Sequence, residues 1–306
     1  MSMYFRVAAF PIVLMSALGA CVGGAGGGGG GPGGGSVAPD VSFTSFTAIP
    51  PNQAVVMQGV SQTASGTSST LQLNDIDRND SSTVLTYDAK GNLTGLTLTT
   101  PQSSMSFTGK EITPSHDREG RRTAFVGQDE TALAVAVDPT YKGWNYQSFG
   151  VWLKDVSVNS FQAGALSAGA ITPASALPTG LTDARFTGHA AGFYFDGEGN
   201  RYATDAQMNA ISDFKNRNIQ FSTSGTLLTD TSTRARTTDT TLDLNGNWSY
   251  APGTSQFSGS VRTADGALTG TGSGRFYGPN AEEIGGVYGL TGAGGARMLG
   301  GFGGKR

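Results

Sequence analysis

From residue 83 onward the chain alternates apolar and polar positions in short runs. Thr83-Val84-Leu85-Thr86-Tyr87 has strand composition and meets the turn cluster Asp88-Ala89-Lys90-Gly91-Asn92; Leu93 to Thr99 then resumes the alternation. That pattern predicts a β-hairpin. Thr131 to Val137 and Ser148 to Leu153 predict two further strands. Residues 162–182 turn to Ala, Gly, Ser and Pro, which reads as a connector between two domains. Beyond it, a strand starts at Arg185 and leads through Phe195 into the turn Asp196-Gly197-Glu198-Gly199-Asn200. Thr204-Asp205-Ala206-Gln207 fits a capping box, and Met208, Ile211 and Phe214 recur every third residue, so a short helix ending near Asn216 is predicted. Six strands follow: Ile219 to Gly225, Thr240 to Tyr250, Gln256 to Arg262, Ala267 to Tyr277, Ile284 to Leu290 and Ala296 to Phe302. Closely spaced strands separated by turns such as Ala251-Pro252-Gly253 and Ala264-Asp265-Gly266 predict an all-β protein with an up-and-down β-barrel at its C-terminus. Closure would remove the unpaired edges that invite aggregation.

Composition supports this class. Apolar residues make up 37% of the chain and charged residues 14%, so its polarity comes from Gly, Ser, Thr and Asn and not from a charge excess. The net charge is −3. The densest charge cluster, Asp117-Arg118-Glu119-Gly120-Arg121-Arg122, nearly cancels itself, and no basic run offers itself to nucleic acid.

The first 21 residues read as an address. Arg6 is followed by the apolar stretch Val7 to Leu18, which is of signal-peptide length. Leu18-Gly19-Ala20-Cys21 resembles the bacterial lipobox, an apolar residue and two small ones before Cys. Cys21 is the one cysteine of the chain, which excludes an internal disulfide and any multi-cysteine zinc site. The lipobox implies a signal peptide over residues 1–20 and acyl chains on Cys21. Each buried CH₂ contributes about 0.8 kcal/mol, so two or three chains anchor durably. Val22, where Asp would favour retention in the inner membrane, points to the outer membrane. Residues 23–35 are almost all Gly and would reach on the order of 20 Å as a flexible coil, giving a tether over 21–40.

Candidate chemistry is sparse. No G-x-S-x-G elbow occurs, and the two histidines are His116, in a polar loop, and His189, in a predicted strand. Both read as plain histidines. Asp75 and Asp77 lie in Asn74-Asp75-Ile76-Asp77-Arg78-Asn79-Asp80, which lacks the central Gly and distant Glu of a calcium loop and reads as a solvated turn. Glu282 and Glu283, if in a strand, face opposite ways and cannot share acid/base work. No catalytic residue, resident cofactor or metal site is expected, and the chain reads as a binding protein and not an enzyme.

The segment Gly274-Arg275-Phe276-Tyr277-Gly278-Pro279-Asn280-Ala281-Glu282-Glu283-Ile284-Gly285-Gly286-Val287-Tyr288 resembles the closing motif of the β-barrels of the transferrin-binding protein B family, which the barrels of factor H-binding proteins share. Phe257-Ser258-Gly259-Ser260-Val261, the terminal Gly300 to Arg306 and, more weakly, Ile211 to Arg217 are similar to the same domain, so the likeness covers roughly residues 180–306. The resemblance implies an eight-stranded antiparallel barrel over 176–306, preceded by a small β-rich handle domain over 41–175. It also implies a lipoprotein of the outer membrane, displayed at the cell surface, with a surface-lipoprotein translocon as a partner. The ligand would be a host or environmental protein, or an iron- or haem-containing solute. Haem could take His116 as axial ligand beside Tyr141, Trp144 or Tyr146. These aromatics, with Trp248 and Tyr250, could alternatively anchor a protein interface or simply pack the core. Glu283 reads as a structural carboxylate accepting hydrogen bonds, Gly278-Pro279 as a turn, and Gly285-Gly286 as a close backbone approach or a bulge. A structural envelope lipoprotein without a soluble ligand is the alternative.

Overall fold

A computed structural model describes residues 43, 45–49, 52–67, 70–90, 92–116, 122–157 and 160–306; the signal segment, Cys21 and the Gly tether lie outside the described residues. Residues 43–306 form one compact unit built on two antiparallel sheets.

The first sheet comprises β1 (Ala54–Gly66), β2 (Gln72–Leu73), β3 (Asp77–Tyr87), β4 (Leu93–Thr100), β5 (Ser103–Thr108), β6 (Ile112–His116), β7 (Arg122–Gln128), β8 (Ala132–Val137), β9 (Gln147–Ser157) and β10 (Ser160–Gly169). Their order is β5-β4-β3-β1-β10-β9-β8-β7-β6, with β2 paired to β1. The sheet curls until its two arms meet through side chains. The Phe107 ring of β5 lies where a Cβ on Gly127 of β7 would sit, 2.6 Å from that position, so only glycine lets the arms approach. Registered neighbours Met57↔Thr83, Leu85↔Leu96 and Leu96↔Phe107 place their side chains on one face, the concave one. A single helical turn, α1 (Pro139–Lys142), bridges β8 and β9.

The second sheet comprises β11 (Ala184–Phe195), β12 (Arg201–Asp213), β13 (Asn218–Asp230), β14 (Arg236–Thr238), β15 (Leu244–Ser249), β16 (Gln256–Thr263), β17 (Leu268–Tyr277), β18 (Glu283–Gly292) and β19 (Arg297–Lys305). Pairings β12–β13 and β11–β19 close it into an eight-stranded up-and-down barrel, with the short β14 outside the ring. Aromatic rings fill the interior: Phe221 stacks on Trp248 at 4.4 Å, and Trp248 on Phe302 at 5.3 Å and on Phe257 at 5.5 Å. Strands β18 and β19 are buried on both faces, because Val287 and Leu299 pack outward against Val60, Val151 and Ala165 of the first sheet.

Three expectations are corrected. Residues 204–216 are not a helix; 201–213 form β12, whose burial alternates through Thr204, Ala206, Met208, Ala210 and Ser212. Most of that inward set is small or polar, so a count of large apolar residues misses the period of two and catches Met208, Ile211 and Phe214 by accident. The connector is shorter than 162–182, since residues 162–169 belong to β10, where small side chains suit a strand buried on both sides. His116 lies at the end of a strand, β6, and not in a loop. Gly285-Gly286 is a close approach without a bulge: the β17–β18 register runs unbroken from Leu268↔Gly292 to Tyr277↔Glu283.

Candidate functional site

The family-like segment 277–283 is the seam between the sheets. Gly278 takes φ +90°, a conformation that favours glycine, and turns the chain out of β17. Its N–H donates to the Ala170 carbonyl at 2.8 Å, and the Thr172 hydroxyl donates to its carbonyl at 2.6 Å, so the linker after β10 is tied to this turn. Glu283 opens β18 with no solvent exposure. Its Oε1 accepts the Asn145 N–H at 2.5 Å, and its Oε2 accepts the Tyr146 and Gln147 N–H groups at 3.0 Å each. Burial pushes the Glu283 carboxyl above its ordinary value, against the downward pull of these amides and Lys305. Lys305 also donates to the Gly143 carbonyl at 2.8 Å. Glu282 turns away and accepts from the Asn280 N–H at 2.8 Å, so the adjacent carboxylates do different structural work.

A pocket opens on the concave side of the first sheet. Its lining includes the buried Met57, Leu96, Leu98, Leu166 and Pro139 and the half-buried Tyr87. Its cavity volume is small, about 30 Å³, and it is partly open to solvent. The two side-chain hydroxyls in its wall other than that of Tyr87 are spoken for: Thr83 donates to the Thr97 carbonyl at 2.9 Å and Ser148 to the Val137 carbonyl at 2.7 Å. An ion pair lies beside it, Arg122 Nε to the buried Asp138 Oδ2 at 2.5 Å. The guanidinium lies over the Phe125 ring at 4.5 Å, and Phe125 lines the wall. Burial, and secondarily the Asp138 charge, push the Tyr87 phenol up to about 12, so it remains a hydrogen-bond donor.

The residues singled out from sequence are scattered. His116 is exposed at the end of β6, paired with Arg122. Trp144 is 1% exposed and packs against Phe149, so it cannot wall a surface cleft. Tyr146 meets Phe43 edge-on, and Lys142 lies over the Tyr141 ring at 4.9 Å. β6 and β9 are separated by β7 and β8, about 14 Å across the sheet at ordinary strand spacing. The structure therefore does not gather His116, Trp144 and Tyr146 into one pocket. Trp248 and Tyr250 are buried in the barrel core and are not interface anchors. His189 sits half-buried on β11, facing Lys142 and Asp205; burial first, and Lys142 second, hold its pKa below the ordinary value, while Asp205 pulls it up. Asp77 does not sit in a solvated turn as expected: it opens β3 beside the irregularity in the pairing with β1, and accepts the Asp80 N–H at 3.2 Å and the Ser81 hydroxyl. Among the described residues no three His, Cys, Asp or Glu side chains are grouped to hold a metal ion. The pocket and the ion pair beside it were missed from sequence. The alternation of β3 and β4 marks the concave face, but pairing Arg122 with Asp138 needs the β7–β8 register.

Residues 140–306 match the family model described as the C-lobe and N-lobe β-barrels of Tf-binding protein B. The match begins before the barrel and takes in β9 and β10, the strands that the seam ties to it. No curated protein matches the chain. Among solved structures, transferrin-binding protein B from Haemophilus parasuis Hp5 (17% identity, TM-score 0.44) and from serogroup B Neisseria meningitidis (18%, 0.44) are similar over 81% of this chain. These alignments cover 45% and 43% of those proteins, so the chain spans less than half their length. A variant from Actinobacillus pleuropneumoniae H49 is similar at 13% identity and TM-score 0.34, over 83% of this chain and 99% of its own.

Proposed function

The chain belongs to the family of the C-lobe and N-lobe β-barrels of transferrin-binding protein B, and from that premise we propose that it is a lipid-anchored binding protein of the outer-membrane surface. Its ligand is a host or environmental protein, or an iron- or haem-bearing solute. The observation that carries this reading is the family match across the whole barrel and the two strands joined to it. The lipobox ending at Cys21 and the Gly tether support the location, since acylation holds the chain at the membrane while the tether gives the folded body clearance. His116, exposed at the end of β6 and paired with Arg122, is the axial ligand this reading offers to haem.

The test is capture by residues 37–306 immobilised on resin, against host serum and against haemin. A retained serum protein, or a Soret shift with haemin that His116→Ala abolishes, is the expected result. Neither a retained protein nor a Soret shift would favour a structural envelope lipoprotein. Cys21→Ser separates location from binding: it should move the protein from the membrane fraction to the soluble one and leave capture intact.

A further inference from the structure

We propose that one end of the barrel docks a lysine-rich segment of a protein partner, with alkyl stems on Tyr194 and Tyr202 and ammonium groups among Asp230, Asp239 and Asp265. This deepens the proposed capture of a protein and rests on it. Tyr194 of β11 and Tyr202 of β12 are registered neighbours, and their rings stack at 6.0 Å with 25° between their planes. Both share the inward parity of Ala190 and Met208, yet both are only half-buried, so the pair stands at the open end of the barrel. The face of a tyrosine ring attracts a cation and gives an alkyl stem a surface to lie on. Beneath the pair Thr204 faces the same way at 5% exposure, and its hydroxyl has no hydrogen-bond partner. The Tyr288 phenol is near enough to sense that hydroxyl but is not placed to bond it.

Carboxylates from three further segments surround the rings. Asp230 lies directly across from Tyr202 in the β12–β13 ladder. Asp239 and Asp265 belong to loops joined by the Asp265 N–H, which donates to the Thr241 carbonyl at 3.3 Å, and both charges act on the Tyr194 phenol. Burial first, and then Asp196 and Asp239, raise that phenol, so it stays protonated. No cation is among the groups that act on either ring. Two arginines of this end are turned elsewhere: Arg201 lies over Phe161 of the first sheet at 5.1 Å, and Arg297 donates to the Ala296 carbonyl at 2.7 Å. Arg234 and Arg236 stand exposed beyond β13 without an ion pair among the described residues. The fold does not need the three charges. Each carboxylate uses Oδ1 for its own turn: Asp230 accepts the Thr233 N–H at 2.7 Å, Asp239 the Thr241 N–H at 3.0 Å and Asp265 the Ala267 N–H at 2.9 Å. Asparagine would serve there equally. The three Oδ2 atoms accept nothing among the described residues, and the like charges repel one another. Charge that costs stability and leaves acceptors open is complemented by cations from outside. Carboxylates on three separate segments are spread for several ammonium groups, which selects a lysine-rich segment over a single amine.

Residues 43–306 form one compact unit, so that body is the material for the test. Peptides of two, four and six lysines, the same peptides acetylated on Nζ, and spermidine are titrated calorimetrically at low salt. Affinity is expected to rise with lysine number, to fall as salt is added and to vanish on acetylation. Asp230→Asn and Asp239→Asn keep the turn acceptor and remove the charge, and each should weaken binding of the six-lysine peptide about three-fold. Tyr202→Leu keeps an apolar wall without a ring face and should also weaken it about three-fold. Glu130→Gln, in the β7–β8 turn of the first sheet, should change nothing. Unchanged unfolding midpoints show that the variants fold. No binding, equal binding of the acetylated peptides, spermidine bound as tightly as the six-lysine peptide, or a loss with Glu130→Gln as large as with Asp230→Asn would overturn the proposal. The two readings fail separately. An empty serum capture beside peptide binding that depends on Tyr202 removes protein capture and keeps the site; a captured protein indifferent to Asp230→Asn and Tyr202→Leu keeps capture and removes the site.

Discussion

Glu283 is fully buried and accepts three backbone amides from residues 145–147, up to 138 positions away along the chain. Those donors have no helix or ladder partner to fall back on, so the carboxylate decides whether the start of β9 can lie against the barrel. Glu283→Gln keeps the size but presents an NH₂ group in place of one acceptor oxygen. Turning the amide either way leaves at least one amide N–H facing a donor. The expected cost is about 2–4 kcal/mol, read as a lower denaturant midpoint with an unchanged slope. A neutral outcome would mean that the seam is held by the Gly278 and Thr172 hydrogen bonds alone. From sequence, the role of Glu283 as a structural acceptor could be read; its donors could not, because nothing in residues 145–147 announces that their amides lack partners.

The strand β12 shows how residue choice misleads at the level of an element. Its inward positions are Thr204, Ala206, Met208, Ala210 and Ser212, and only Met208 is a large hydrophobe. The barrel needs small residues there because Phe186, Phe221, Trp248 and Phe302 already occupy the interior. Local patterning therefore suggested a helix, and the ladders to β11 and β13 overruled it. The alternation can be tested directly. Ala210→Asp places an unpaired carboxylate in the core and should cost more than about 3 kcal/mol. Asn209→Asp, one position along and outward, should stay within about 0.5 kcal/mol. Chemical denaturation of both variants separates strand from helix, since only a strand turns adjacent side chains to opposite sides. By contrast, the hairpin of β3 and β4 was legible, as alternation and turn residues agreed there.

For the molecule as a whole, α1 rests on the barrel wall beside His189, and this contact carries a pH dependence. His189 faces the ammonium of Lys142 from α1 and the carboxylate of Asp205 from β12. Burial, then Lys142, lower its pKa below the ordinary 6.5, so the folded state takes up a proton less readily than the unfolded chain. The stability this group contributes is complete above about pH 6.5 and declines as the pH falls toward the lowered folded value, where it levels off. Urea unfolding between about pH 7.5 and 5 should show that decline, and His189→Gln should flatten it. An unchanged slope in the variant would place the titrating group elsewhere.

The sequence by itself determined the all-β class and the closing barrel with its Gly-Pro turn, because these rest on local alternation, turn chemistry and short motifs. Only the tertiary structure decided the curl of the first sheet, the pocket within it, the pairing of Arg122 with Asp138 and the three amides on Glu283. Each of those joins residues far apart along the chain, and contacts of that kind depend on strand register and sheet closure, which no stretch of neighbouring residues encodes.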